Sequence, residues 1–269
     1  MFESLYSDQS TPASCEAGVF YTDRVTDRVR LDRRIHLPWL CVHSPSHERA
    51  QGDGVRSHAD VLPWDWAVTE QTWLHHKHDA FLVGRVHQST FGESHWLEFL
   101  NAYSLKRGKG GNFLRQSYET SWPVLVDAYS SPMRDGDVFT ATTRWTAVVE
   151  ALRQGSGLRM RSAALKAFWL FQPHALPMFD AFASRGLVLF ERARGERGQA
   201  VTIDNFLERF EAFYHFSGTQ IEGALERSGS TYPYRRRIGE KWLWLAGNTH
   251  REAILDRFAA AQDDLERVR

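Results

Sequence analysis

The sequence predicts a mostly α-helical fold, preceded by an N-terminal extension that is irregular or contains β-strands. Three observations support this prediction. From about Ser94 onwards, apolar residues recur at the three- and four-residue spacing of amphipathic helices. The stretches between these segments contain glycine and proline, which interrupt helices. Before about residue 90 the apolar runs are short, and Asp, Arg, His, Ser and Pro are frequent.

We therefore divide the chain into an extension, residues 1–92, which is packed on the core, and a helical core, residues 93–269. Within the extension, residues 25–42 partly alternate between apolar and polar and predict one or two strands. Residues 44–60 have the composition of a loop. Three tryptophans are expected to pin the extension onto the core: Trp64, Trp66 and Trp73.

The first helix of the core is predicted over about 94–105, where four large apolar side chains share one face. A basic, glycine-rich loop is expected over 106–113. Further helices are predicted over about 122–130, 142–154, 162–171, 180–194, 203–216, 220–226 and 237–247, followed by a long C-terminal helix with a charged end. Thr202 or Asp204 is expected to cap the helix that ends near residue 216.

Composition narrows the classes of protein that fit. The formal net charge of the 269 residues is zero, which argues against a wholly basic nucleic-acid binder but leaves room for a basic patch. The two cysteines, Cys15 and Cys41, are too few for a tetrathiolate zinc site or an iron–sulfur cluster. No signal peptide is recognised, and no apolar run approaches the ~20 residues that cross a bilayer. We expect a cytoplasmic protein without membrane contact and without a cofactor.

The segment 155–187 carries the chemistry that the sequence predicts. A glycine-flanked turn at 155–157 opens an apolar helix, and that helix ends before a turn framed by Pro173 and Pro177. This turn delivers Asp180 to the start of the next helix. Asp180 also has the position of an ordinary helix N-cap, and the two roles are compatible.

The residues of this segment resemble those of the helix-hairpin-helix DNA glycosylases. Pro177-Met178-Phe179-Asp180 is similar to their P-x-x-D turn, whose aspartate is catalytic. "LKAFWLFQPHALPMFDAF" resembles a stretch of prokaryotic proteins with an 8-oxoguanine glycosylase fold, among them an antiviral glycosylase that removes glucosylated hydroxymethylcytosine from phage DNA. "RRRIGEKWLWLAG", residues 235–247, resembles their R-x-x-x-K-x-L-W-x-x-G tail. The resemblance covers 95–250 and implies a helix-hairpin-helix glycosylase-like core.

The resemblance also implies catalytic roles. Breaking an N-glycosidic bond builds positive charge on the sugar, which the carboxylate of Asp180 would stabilise. Lys166 would form a Schiff base with the opened sugar, or hydrogen-bond Asp180 or a phosphate. In the strand-cleaving members a lysine lies about eighteen residues before the aspartate, where this chain has Ser162. We therefore expect a monofunctional glycosylase that leaves an abasic site.

Basic and aromatic residues of the chain are expected to contact double-stranded DNA. Phosphates would be bound near the glycine-rich segment and the hairpin by Lys106, Arg107, Lys109, Arg159, Arg161 and Ser162. Asn112 or Phe113 would enter the gap left by the flipped nucleotide. The flipped base would stack on Phe168, Trp169, Trp242 or Trp244.

Each of these interpretations has a structural alternative. Lys166 would extend along an apolar helix so that its ammonium reaches solvent. The aromatic side chains proposed to stack on the base would instead belong to the hydrophobic core. Residues 106–109 would form a solvated loop. No metal site is expected, because His75, His76 and His78 lack a fourth ligand at a typical spacing. No obligate protein partner is evident. The alternative functions are a repair glycosylase for 8-oxoguanine or an alkylated base, and a non-catalytic DNA-binding module.

Overall fold

The regular secondary structure of the described residues is helical, which confirms the predicted mostly α fold. A computed structural model describes the backbone of residues 58–268 and the side chains of residues 62–262. The helices are α1 (His58–Leu74), α2 (Ala80–His87), α3 (Glu93–Ala102), α4 (Gly108–Gln116), α5 (Tyr118–Tyr129), α6 (Val138–Ser156), α7 (Arg161–Phe171), α8 (Ala181–Ala193), α9 (Ile203–Ser228), α10 (Arg235–Gly247) and α11 (Arg251–Val268). A π-helical turn, His75–Asp79, joins α1 to α2. None of the described helices is long and apolar enough to span a membrane.

The end of the N-terminal extension is helical rather than irregular. Helix α1 packs against α9 and α10. Trp64 stacks on Trp242 with ring centroids 4.9 Å apart, and Trp66 stacks on Trp244 at 6.1 Å. Two of the three tryptophans of this segment thus contact α10. The strands predicted over 25–42 lie outside the described residues.

Two boundaries within the core differ from the prediction. The expected loop over 106–113 is largely helix, because α4 begins at Gly108 and buries Leu114 against Trp96, whose indole N–H donates to the Leu114 carbonyl. The segments 203–216 and 220–226 form one helix, α9. Its apolar stripe continues through the join, and Thr202 begins it with a capping box.

Helices α8 and α10 pack in close antiparallel contact. A Cβ atom at Gly186 would overlap the backbone carbonyl of Leu243, and one at Gly247 would overlap that of Phe182. Only glycine allows two helix backbones to come this close. The contact fixes the first turn of α8 against the last turns of α10, and so positions the residue that precedes α8.

Helix α7 is a core helix. Eight of its eleven residues are buried, and it packs against α2, α5 and α6. Its one charged residue beyond the first turn is Lys166, which is therefore placed among apolar neighbours. Burying the charged ammonium of Lys166 among apolar side chains costs free energy unless polar groups hydrogen-bond or pair with it.

Candidate active site

Asp180 is the N-cap of α8 and also an ion-pair partner. Its backbone is extended, with φ −140° and ψ 150°, and its Oδ1 accepts a hydrogen bond of 2.8 Å from the Phe182 N–H. Its Oδ2 lies 3.7 Å from Nζ of Lys166. The structure thus brings the two predicted catalytic residues together, and it confirms the capping position expected of Asp180.

The side chain of Lys166 ends in the protein interior. Only 11% of it is exposed, and its Nζ donates a hydrogen bond of 3.1 Å to the carbonyl of Tyr103, just after α3. Burial lowers the pKa of Lys166, and the carboxylate of Asp180 opposes this shift. The snorkelling alternative does not hold, because the amine meets a carbonyl and a carboxylate instead of solvent.

A second buried lysine, Lys241 of α10, has a carboxylate partner of its own. Nζ of Lys241 is 3.2 Å from Oε1 of Glu70, which comes from α1. The ammonium lies 4.6 Å from the ring centre of Trp244 and 5.4 Å from that of Trp66. Burial lowers the pKa of Lys241, and the nearby carboxylates of Glu70 and Asp180 oppose this shift.

Neither member of this pair was assigned a role from the sequence. The signal for Lys241 was present, because it is the lysine of the R-x-x-x-K tail in 235–247. No signal marked Glu70, because its segment showed no helical periodicity. A third ion pair, Arg237 with Glu240, is buried one helical turn before Lys241, and the guanidinium lies 5.3 Å from the ring centre of Trp169.

The turn between α6 and α7 has the form of a helical hairpin. Helix α6 ends at Ser156, and Gly157 follows with a left-handed φ of 72° that reverses the chain. Helix α7 then begins at Arg161. The hydroxyl of Ser162 donates a hydrogen bond of 2.9 Å to the carbonyl of Phe179. The start of α7 therefore lies directly beside the residue that precedes Asp180.

The first turn of α4 packs beside this hairpin. A Cβ atom at Gly110 would lie 3.5 Å from Sδ of Met160, and one at Gly155 would lie 3.5 Å from the ring of Phe113. The two basic segments predicted to bind phosphate are thus adjacent. We define the hairpin surface as Lys106, Arg107, Lys109, Arg159 and Arg161.

The side chains of the hairpin surface are available for an anionic partner. Arg107, Lys109 and Arg159 are exposed, and Lys106 and Arg161 are partly exposed. Arg159 has an acidic neighbour, since the hydrogen bond from Arg153 and, to a smaller extent, the charge of Arg159 lower the pKa of Glu150. None of the five forms an ion pair within 4 Å in the described part of the chain. Asn112 is exposed on α4 and hydrogen-bonded to Arg115.

The predicted base-stacking residues are mostly core, which corrects the prediction. Phe168 and Trp169 have no exposed surface, and Trp242 is 4% exposed. Phe168 stacks on Tyr129 at 3.9 Å, and Trp242 stacks between other rings of the core. Their faces are covered because the apolar sides of α7 and α10 point inward. Trp244 remains half-buried beside Phe182 and Lys241, next to the Asp180 site.

The chain matches no family model, no curated protein and no solved structure. The resemblance of residues 95–250 to helix-hairpin-helix glycosylases therefore stays a prediction. The candidate site has three features: the pair of Lys166 and Asp180, the hairpin that precedes them in the chain, and the cations of the hairpin surface.

Proposed function

We propose that the protein is a DNA glycosylase, a hydrolase that flips a modified base out of double-stranded DNA and excises it. The observation that carries this proposal is the pairing of Lys166 with Asp180 at the start of α8. A carboxylate in a largely enclosed site can stabilise the positive charge that develops on the sugar as the base leaves. The adjoining hairpin surface supplies the cations that such a substrate requires.

The order of the elements supports the same reaction. A DNA strand bound at the hairpin surface would contact the first turn of α7, where Arg161 and Ser162 lie. Ser162 is bonded to the residue before Asp180, so a phosphate held there brings the adjacent sugar towards the carboxylate. Lys166 follows Ser162 by one helical turn, about 6 Å along the axis.

We propose that the product is an abasic site in an uncleaved strand. Ser162 occupies the position of the lysine in the strand-cleaving enzymes of the proposed family, and its hydroxyl is engaged by Phe179. The proposed substrate is glucosylated hydroxymethylcytosine in phage DNA, and the proposed role is antiviral defence. The resemblance of residues 161–187 is the support for this choice of base.

The test is excision from defined DNA. The purified protein is incubated with T4-type glucosylated DNA, with the same DNA lacking glucose, with unmodified DNA, and with duplexes carrying single 8-oxoguanine or alkylated bases. Abasic sites are then converted to strand breaks by heat or alkali. We expect breaks in the glucosylated DNA after alkali and intact strands before it.

Asp180→Asn separates catalysis from folding, because asparagine caps helices about as well as aspartate. We expect excision to fall by roughly 100-fold or more while DNA binding is retained. Asp137→Asn is the matched control, since Asp137 caps α6 in the same way, accepting from the Thr140 N–H at 3.0 Å. Excision of a repair lesion alone would indicate a repair enzyme. Binding without excision of any substrate would indicate a non-catalytic module and contradict the proposal.

A further inference from the structure

Buried polar atoms without a hydrogen-bond partner are concentrated in one region of the described residues. Four of the seven such side-chain atoms belong to a group that we call the polar cluster: Nε2 of Gln71, Oδ2 of Asp79, Nε1 of Trp169 and Nε of Arg237. These residues come from α1, the π-helical turn, α7 and α10, and they are 0–4% exposed. Because buried polar atoms are nearly always hydrogen-bonded, such a concentration points to a group from outside the chain.

Contacts with Tyr103 connect three members of the polar cluster. The Tyr103 hydroxyl donates a hydrogen bond of 2.5 Å to Oδ1 of Asp79, so only Oδ2 is left without a partner. The ring of Tyr103 lies 6.2 Å from that of Trp169, and the Arg237 guanidinium lies 5.3 Å from the Trp169 ring centre. Burial raises the pKa of Tyr103 most, Asp79 raises it further, and Arg237 lowers it, so both charges act on this hydroxyl.

Gln71 joins the polar cluster through Tyr232. The Tyr232 hydroxyl donates a hydrogen bond of 3.4 Å to Oε1 of Gln71, whose Nε2 has no partner. The same hydroxyl lies near both charges of the cluster, because Asp79 adds to the effect of burial in raising its pKa and Arg237 lowers it. The amide, the carboxylate and the guanidinium are therefore grouped around two tyrosine hydroxyls.

The polar cluster offers one acceptor and three donors between aromatic walls. Oδ2 of Asp79 can accept an N–H, and the other three atoms can donate. The walls are rings that meet edge to face, such as Tyr232 with Tyr234 at 5.6 Å and Tyr234 with Trp169 at 5.4 Å. A flat heterocycle with an amino group beside acceptor atoms matches this set. Cytosine has this edge, and aspartate is a typical acceptor for its exocyclic amino group.

The polar cluster adjoins the candidate active site. Nζ of Lys166 donates to the carbonyl of Tyr103, and the hydroxyl of the same tyrosine donates to Asp79. The length of one tyrosine residue thus separates the Lys166–Asp180 pair from the free oxygen of Asp79. A pyrimidine whose sugar lies at Asp180 can span this distance.

Two features of the backbone suit a site that binds a ligand. The π-helical turn His75–Asp79 holds one residue more than an α-helical turn, which rotates Asp79 by about 100° relative to an uninterrupted helix. Such turns occur frequently at functional sites. Tyr232 and Tyr234 lie in the non-helical segment between α9 and α10, so their displacement opens the polar cluster without unfolding a helix.

We propose that the polar cluster recognises the flipped base, that this base is of the cytosine class, and that Oδ2 of Asp79 accepts a hydrogen bond from its exocyclic amino group. That the ligand is a base of DNA rests on the proposed function. In Asp79→Asn the amide oxygen still accepts from Tyr103, and the amide N–H then faces the ligand. The variant should therefore prefer uracil, which has a carbonyl in place of the amino group.

The first experiment detects a base in the polar cluster without any excision. The full chain is labelled with ¹⁵N at the indole nitrogens of its ten tryptophans, and Trp169→Phe identifies the signal of Trp169. Free 5-hydroxymethylcytosine or 5-hydroxymethyluracil is then added. We expect the cytosine to shift the Trp169 signal at a concentration roughly 10- to 100-fold lower than the uracil, and Asp79→Asn to reverse this order. Unshifted signals of the other tryptophans show that the variant is folded.

Tyr129→Phe is the matched control. The Tyr129 hydroxyl is also buried without a partner, but its ring stacks on Phe168, outside the polar cluster. Removing it should leave the preference for the cytosine unchanged. If neither base shifts the Trp169 signal, or if wild type and Asp79→Asn have the same preference, the proposal is overturned.

Excision gives a second, separable readout. Rates are compared on DNA that carries glucosylated hydroxymethylcytosine and on DNA that carries glucosylated hydroxymethyluracil. Binding of the free base without excision from any DNA would refute the proposed function but support the polar cluster as a base-binding site. Excision with the same ratio of the two rates in wild type and Asp79→Asn would support the proposed function and overturn the role of Asp79.

Discussion

Gly186 of α8 and Leu243 of α10 are in backbone contact, with no room for a side chain between them. Together with the matching contact of Gly247 and Phe182, this sets the distance between the two helices. Asp180 directly precedes α8, and Lys241 lies on α10. The close contact of the two backbones therefore fixes where the start of α8, and with it Asp180, lies relative to α10.

The first prediction concerns this contact. Gly186→Ala would place a methyl group against the Leu243 carbonyl, and we expect it to lower the free energy of unfolding by about 1–3 kcal/mol or more. Gly218→Ala is the control, because Gly218 lies in α9 with no atom within 4 Å of an added Cβ. That substitution should be neutral or stabilise by roughly 0.5–1 kcal/mol. Urea unfolding measures both, and equal effects would contradict the packing argument.

The second prediction concerns the hairpin surface. Each phosphate contact that is lost should reduce the slope of log K against log salt concentration by about 0.9. Arg107→Ala and Lys109→Ala should each have this effect on binding to a duplex. Arg192→Ala is the control, since Arg192 lies at the far end of α8, about 16–18 Å along the helix from Asp180. If the slope is the same in all three variants and the wild type, the hairpin surface is not the DNA-binding face.

The third prediction concerns a buried ion pair that supports α10. The guanidinium of Arg236 donates two hydrogen bonds, of 2.8 and 3.0 Å, to the carboxylate of Glu211 on α9, and both side chains are nearly buried. Arg236→Met should cost about 3–5 kcal/mol, because it leaves the carboxylate buried without its partner. Adding Glu211→Gln should recover part of this loss. Arg235→Met should change stability by less than about 1 kcal/mol, since its pair with Glu222 is half exposed.

The fourth prediction concerns the pH dependence of stability. The pKa of Lys166 is lower in the folded protein than in the unfolded chain, so the unfolded chain binds more protons between these two values. Stability must therefore rise as the pH increases through that interval, with a slope of up to about 1.4 kcal/mol per pH unit for one group.

Lys166→Met removes this contribution. The difference in the free energy of unfolding between wild type and variant should change in favour of the wild type as the pH is raised towards 10.5, the ordinary pKa of a lysine. Leu165→Met, a neighbouring substitution without a titrating group, should show a difference that does not depend on pH. Denaturant unfolding at several pH values provides the measurement, and parallel curves for Lys166→Met would contradict the prediction.

Local sequence signals predicted much of the core. Helical spacing identified the helices from about Ser94, and Thr202 and Asp180 were recognisable as starts of helices, because capping depends on residues close in the chain. The glycine-rich segment after Lys106 was misjudged. Its glycines suggested a loop, but the burial of Leu114 against α3 made it a helix.

Aromatic content was informative about burial and misleading about accessibility. Phe168 and Trp169 stand next to Lys166 in the sequence, which suggested a role in stacking a base. Their faces are covered by Tyr129, Tyr103 and Tyr234, residues far away in the chain. Whether a ring is exposed depends on what packs over it, and no local pattern records that.

By itself, the sequence determined the mostly helical class, the turn that leads into Asp180, and the order of hairpin, helix and carboxylate in 155–187. These features depend on backbone preferences and on spacing along one helix, which are local. The pairing of Lys166 with Asp180, the approach of Lys241 and Glu70, and the joining of two basic segments into the hairpin surface were decided by the tertiary structure. These contacts join residues that are far apart in the sequence. They form because burying the apolar faces of the helices brings the helices together, and this burial depends on the whole chain and on no local sequence pattern.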